Sequence, residues 1–373
     1  MDRRLSRVVA SIPFLIAADG ARTAPPDTRP ANQPAGRLVG FEASPHFGEQ
    51  IREFRIEPGV QIHVNAPAPE KLRPDRLTRL MFFALPNGNT TAQTIGRKMT
   101  PGLDWHYDIQ HIGAQTRRLR EVVTTENLVV TYLEADGRSW AGWRTKHPAE
   151  YGLANWKVIE TVRDLFKPYR TVVELSGHSG GGSFIFGCID GVAAIPDDVR
   201  RISFLDSNYN YTDEAHGDKL VAWLKARPDH CLTVICYDDR NVVLNGKPIV
   251  SSTGGTYRRT EQMAQRLRRD FPLIESNVND SANDPRANDP HPSEPRRSAS
   301  GPASSSAPLL LRYRGLDGRI DLILHRNPND KILHTALVGP MNGFIHAMTV
   351  GTPYENKAAI FNGPAAYVQY IQR

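Results

Sequence analysis

From residue 52 to 67, "REFRIEPGVQIHVNAP", apolar and polar positions alternate on both sides of Pro58-Gly59, which predicts a two-stranded hairpin. Alternation gives way to a dense apolar run, "LTRLMFFALPNGNT" (77–90), which ends in turn residues; this is the pattern of a strand buried on both faces. After it the period switches back and forth. Spacing near 3.6 in "YDIQHIGAQTRRLREVV" (107–123) predicts a helix, and "NLVVTYLEAD" (127–136) a strand. "ANWKVIETVRDLFKPY" (154–169) reads as an amphipathic helix stopped by Pro168, followed by the strand "TVVELSG" (171–177) and the apolar helix "GSFIFGCIDGVA" (182–193). Strands "RRISFLDSN" (200–208) and "CLTVICYDD" (231–239) then alternate with helices "GDKLVAWLKA" (217–226) and "TEQMAQRLRRDF" (260–271). Such alternation implies an α/β fold, a mostly parallel central sheet flanked by helices on both faces, with an N-terminal antiparallel hairpin. Near the end, "RIDLILH" (319–325) and "KILHTALV" (331–338) around "RNPND" predict a closing hairpin. Residues 342–361 read as a loop and "AAYVQYIQ" (365–372) as a helix.

Two stretches have no period. Residues 22–37 are Pro-rich and polar and read as a linker, so the single folded domain is expected to run from 38 to 373. Residues 277–308 cannot bury enough apolar surface to offset the entropy of ordering and read as a disordered insertion. The Asp residues of that insertion and His291 show no fixed ligand spacing, so no metal and no cofactor is called for. Residues 1–21 combine a basic start, a short apolar stretch and small residues, the layout of a secretory signal peptide, which implies a secreted or periplasmic protein; the other reading is a basic tail on a cytoplasmic one. No run of about 18 apolar residues exists, so no integral membrane span is expected.

The formal charge of +6 comes from 46 Lys and Arg against 40 Asp and Glu, scattered rather than blocked, so no nucleic-acid partner is expected. Three cysteines, Cys188, Cys231 and Cys236, give neither a disulfide framework nor a zinc cluster and read as small apolar fillers.

Candidate chemistry concentrates in "VVELSGHSGGGSFIFG" (172–187). In G-x-S-x-G a Ser is raised on a sharp strand-to-helix turn, and glycines two positions either side remove the collisions such a turn creates. The strand before Ser179 and the helix after it supply the confirming context, whereas "GRSWAG" (137–142) reads as a loop. A phosphate-binding loop would need a Lys beside Ser/Thr or a G-x-G-x-x-G spacing, and "GHSGGGS" has neither.

With "GHSGG" between strand and helix, alternating strands behind a hairpin and a late His, residues 50–373 resemble the α/β-hydrolase superfamily. The resemblance implies a serine hydrolase with chain order Ser, acid, His. The acid is then expected just past the strand "CLTVICYDDR", at Asp239 or Asp238, with Asp239 slightly favoured and Asp206 third. His346, after the last expected strand, is the implied base; His334 is assigned to that strand, His325 to the hairpin and His178 to shaping the pocket. The oxyanion donors implied are the N–H of Gly180 and that of Asn87 or Gly88. Trp140, Trp143 and Tyr209, in loops after the strands, are the expected substrate contacts, suited to a small-molecule or sugar-like ester. The expected activity is carboxylic ester hydrolysis. A peptidase or amidase is the second reading, and a non-catalytic carbohydrate- or partner-binding protein the third.

Overall fold

The computed structural model describes residues 36–278, 310–355 and 365–373. The signal expected over 1–21, the linker expected over 22–37 as far as residue 35, and the 277–308 segment beyond Val278 lie outside the described residues. Elements appear in the order β1 (Glu42–Ala43), β2 (Gln50–Ile56), β3 (Val60–Ala66), β4 (Thr78–Ala84), α1 (Thr91–Ile95), α2 (Ile112–Val122), β5 (Asn127–Ala135), α3 (Trp140–Lys146) and α4 (Tyr151–Asp164). There follow β6 (Thr171–His178), α5 (Gly182–Asp190), β7 (Val199–Leu205), α6 (Asp218–Ala226), β8 (Cys231–Tyr237), a short hairpin of β9 (Val243–Leu244) and β10 (Lys247–Pro248), and α7 (Thr256–Leu267). The chain continues through β11 (Ile274–Val278), β12 (Leu310–Gly315), β13 (Ile320–His325) and α8 (Gly343–Thr349).

All strands but β9 and β10 join one sheet, in the order β1-β2-β3-β5-β4-β6-β7-β8-β13-β12-β11. The run from β5 to β13 is parallel, while β2 and β3 at one side and β12 and β11 at the other pair antiparallel. This is the α/β-hydrolase-like architecture expected, including the N-terminal hairpin, β2–β3. Every residue of β4 is buried, and its side chains divide by alternation. Leu80, Phe82 and Ala84 enter one core with α4, α5 and α6; Met81 and Phe83 enter the other with α2 and α8.

The C-terminal part departs from expectation. The last hairpin is β12–β13, not 319–325 with 331–338. Residues 331–338 form no strand; Leu337 and Val338 drop into the core from a turn-rich loop. The expected loop over 342–361 contains α8, and only Val368–Tyr370 of the expected last helix forms, as a single 3₁₀ turn. "GRSWAG" is followed by a helix after all: Ser139 caps α3 by accepting from the Gly142 N–H, 3.2 Å. Among the described residues no helix is long and apolar enough to cross a membrane.

Candidate active site

The strand order turns back on itself at β4, which has β5 on one side and β6 on the other. Loops leaving the carboxyl ends of β4 and β6 therefore diverge, and a crevice opens between them, the place where open α/β sheets bind ligands. The β4 loop carries Pro86 to Asn89, and β6 delivers His178 and Ser179.

Ser179 has φ 54°, in the left-handed region that a non-glycine residue adopts at a cost. That one residue turns the chain from β6 into a 3₁₀ turn and then α5, leaving Ser179 half-buried. The glycines after it answer to close backbone contact. A Cβ on Gly181 would lie 2.2 Å from the Ala84 carbonyl oxygen, and one on Gly182 would lie 1.7 Å from that of Ser207. Gly182→Ala should therefore lose about 3 kcal/mol of stability. An unchanged urea midpoint would contradict that contact.

Asp206 closes β7, fully buried. Its Oδ1 accepts from the Thr256 hydroxyl and its Oδ2 from His334 Nδ1. A carboxylate only accepts, so the His334 proton sits on Nδ1 and Nε2 remains an acceptor. The His334 ring lies 4.4 Å from that of His178, whose Nε2–H donates to the His334 carbonyl, 3.1 Å. Burial, then neighbouring His334, holds His178 far below the ordinary imidazole range, so this ring stays neutral. His334 itself is half-buried, in the loop between β13 and α8.

The residues expected from sequence are partly brought together. Asp239, just past β8, is buried beside Asp206, but its Oδ2 accepts from the Thr256 backbone N–H, 3.0 Å, and the histidine is bonded to Asp206 instead. Asp238 turns away to Arg240, with bonds of 2.7 and 2.6 Å. His346 is buried on α8, and its Nε2 donates to Asp321 Oδ2, 2.7 Å, a carboxylate that also receives Arg312 at 2.6 and 2.9 Å. Asp321 is the second residue of β13, so this His lies toward the amino ends of the parallel strands, the opposite end from Ser179.

Of the oxyanion candidates, the Gly88 N–H donates to the Arg138 carbonyl, 2.8 Å, and is spent. The Asn87 side chain lies directly on Gly180, where a Cβ would meet its Oδ1 at 2.0 Å. A capping box between Thr90 and Gln93 starts α1 and fixes the exit of this loop. Trp140 and Trp143 do not line the crevice. They are buried on α3, edge-on to each other at 5.5 Å, and Trp140 packs against Phe184 at 4.8 Å. Tyr209, three residues past Asp206, keeps 36% of its surface exposed. Burial and the charges of Asp206 and Asp239 push its phenol well above the usual range.

Sequence reasoning set His334 aside as a strand residue and did not weigh Thr256. The one available signal was chain order, which Ser179, Asp206 and His334 satisfy as well as the expected set. Clefts of about 520 and 340 Å³ open at the amino ends of the strands, one lined by Arg73 and Asn127, the other by Arg200 and Cys231, away from this constellation. Among the described residues no group of three His, Cys, Asp or Glu is arranged to hold a metal ion.

No protein-family model and no curated protein matches the chain. Among solved structures, a cold-adapted esterase from an Arctic intertidal metagenomic library aligns over 56% of this chain and 79% of its own, at 11% identity and a TM-score of 0.31. The feruloyl esterase module from Clostridium thermocellum, complexed with sinapinate, aligns over 55% and 75%, at 12% identity and 0.33. Thermogutta terrifontis esterase 2, phosphorylated by paraoxon, aligns over 60% and 78%, at 13% identity and 0.32. Likeness at such scores bears on neither activity nor substrate.

Proposed function

We propose that this chain is a serine hydrolase that cleaves a small-molecule carboxylic ester through an acyl-enzyme intermediate, with Ser179 as nucleophile, His334 as general base and Asp206 as the acid that orients it. One observation carries this reading. His334 is bonded through Nδ1 to a buried carboxylate while its ring lies 4.4 Å from that of the residue next to a Ser held at positive φ.

In the first half-reaction the Ser179 oxygen attacks the ester carbonyl carbon, and its proton passes to His334 Nε2. Asp206 holds Nδ1–H and stabilises the imidazolium so formed. The developing oxyanion is received by the Gly180 N–H, with the Asn87 N–H as the second donor across the crevice. Collapse breaks the ester C–O bond, and the departing alcohol takes the proton from Nε2. Water then repeats the sequence on the acyl-enzyme, and the carboxylic acid leaves with Ser179 restored. His178, neutral and donating to the His334 carbonyl, fixes the base against the elbow without competing for the proton.

Release of p-nitrophenol from short-chain p-nitrophenyl esters tests this. Asp206→Asn is expected to lower kcat about ten-thousand-fold, because an amide donor cannot hold the same His tautomer, with the circular dichroism unchanged. Turnover close to wild type would remove Asp206 from the mechanism.

A further inference from the structure

Thr256, the first residue of α7, joins two carboxylates that leave adjacent strands. Its hydroxyl donates to Asp206 Oδ1 at the end of β7, and its backbone N–H donates to Asp239 Oδ2, 3.0 Å, past the end of β8. The amide bond anchors Thr256 at a helix N-terminus, where free N–H groups and the helix dipole favour a carboxylate. The anchored backbone in turn aims the hydroxyl.

Asp239 approaches this closely because position 255 is glycine, with φ 97°; a Cβ there would sit 2.6 Å from the carboxylate. It is 2% exposed, and its Oδ1 has no hydrogen-bond partner among the described residues. Titratable groups around it include Asp206, Asp238, Tyr209, Tyr237 and Cys236, and His334 lies one hydrogen bond further on, across Asp206. Arg240 is engaged by Asp238.

We propose, on the footing of the Ser179, His334 and Asp206 assignment, that Asp239 is a positioning residue for Asp206. It holds Thr256 where the hydroxyl supports the catalytic carboxylate, and its charge adds to the field that favours the His334 imidazolium. Burial and the Asp206 charge push the Asp239 carboxyl up to about 6. It therefore ionises in the interval where a histidine ordinarily loses its proton. Protonation of Asp239 as pH falls through that interval removes the charge that accepts from the Thr256 N–H, so the hold on Thr256 weakens and activity falls on the acid side.

The test is the second-order rate of Ser179 labelling by a fluorophosphonate between about pH 4.5 and 9, for wild type, Asp239→Asn, Asp206→Asn and Thr256→Val, each checked for folding by circular dichroism. In Asp239→Asn the amide oxygen still accepts from Thr256, but the charge is gone. Its acid midpoint should fall by about half a pH unit and its plateau about three-fold. Thr256→Val keeps the amide bond and loses the hydroxyl, so its plateau should fall about ten-fold. A superimposable wild-type and Asp239→Asn profile would overturn the inference. So would loss of labelling at every pH in Asp239→Asn with Asp206→Asn still reactive, since Asp239 would then be the acid itself. Wild-type protein that reacts nowhere at Ser179 would instead overturn the underlying assignment.

Discussion

Replacing His334 with Ala is expected to lower ester turnover by a thousand-fold or more, about 4 kcal/mol in the barrier, while stability falls by only about 1 kcal/mol, because the buried Asp206 loses one side-chain donor and keeps the Thr256 hydroxyl. The side chain lies in a loop and is partly exposed, so its packing contributes little; in the proposed mechanism its Nδ1 bond to Asp206 prepares Nε2 to take the Ser179 proton. His346→Ala should behave in the opposite way. It removes a partner of Asp321, whose carboxyl is depressed despite burial by the hydrogen bonds of His346 and Arg312. Stability should drop by about 2 kcal/mol while turnover per folded molecule persists. That depression makes a stabilising contribution that is present above the unfolded carboxylate range and lost as pH falls through the lower folded value. Catalytic loss in His346→Ala with full activity in His334→Ala would exchange the two roles.

The largest stability effect is expected at Arg79. This residue is the second of the buried strand β4, 1% exposed, and donates twice to Glu174 on β6, each bond 2.8 Å, once to the Met348 carbonyl at 2.7 Å and once to Glu126 at 3.4 Å. Arg79→Met takes both Glu174 hydrogen bonds from a carboxylate with 0% exposure and leaves it the longer ion pair to Arg201 at 3.8 Å. Such a break costs about 3 to 5 kcal/mol. Adding Glu174→Leu should recover much of the loss, since it is the orphaned charge rather than the missing ion pair that destabilises. Urea unfolding reads both variants, and a single mutant as stable as wild type would contradict the buried pair.

Much of the fold was legible because each strand from β4 to β8 alternates with a helix of different apolar period, and two periods cannot be confused over that length. The elbow was legible for a different reason: Gly181 and Gly182 meet backbone atoms of other elements, and only glycine fits. The proposed base was not legible. Ile332, Leu333, Leu337 and Val338 have the density of a strand, yet Leu337 and Val338 are buried from a loop, which left His334 assigned to a sheet it does not join. His346 drew attention by its late position, while the buried Asp321 that holds it lies far off in sequence. The proposed acid turns on which of two strand ends faces His334, a matter of loop geometry that local sequence does not encode. Trp140 and Trp143 followed a strand end as binding residues do, but α3 buries both, Trp140 against Phe184 of α5 and Trp143 with its indole N–H on the Pro58 carbonyl.

Fluorophosphonate labelling with intact-mass detection and peptide mapping, run on wild type, Ser179→Ala and His334→Ala, tests the central claim most directly. A single adduct on Ser179, absent from Ser179→Ala and slowed at least a hundred-fold in His334→Ala, is the predicted result. Folded wild-type protein with no adduct, or one that labels equally fast without His334, would contradict it.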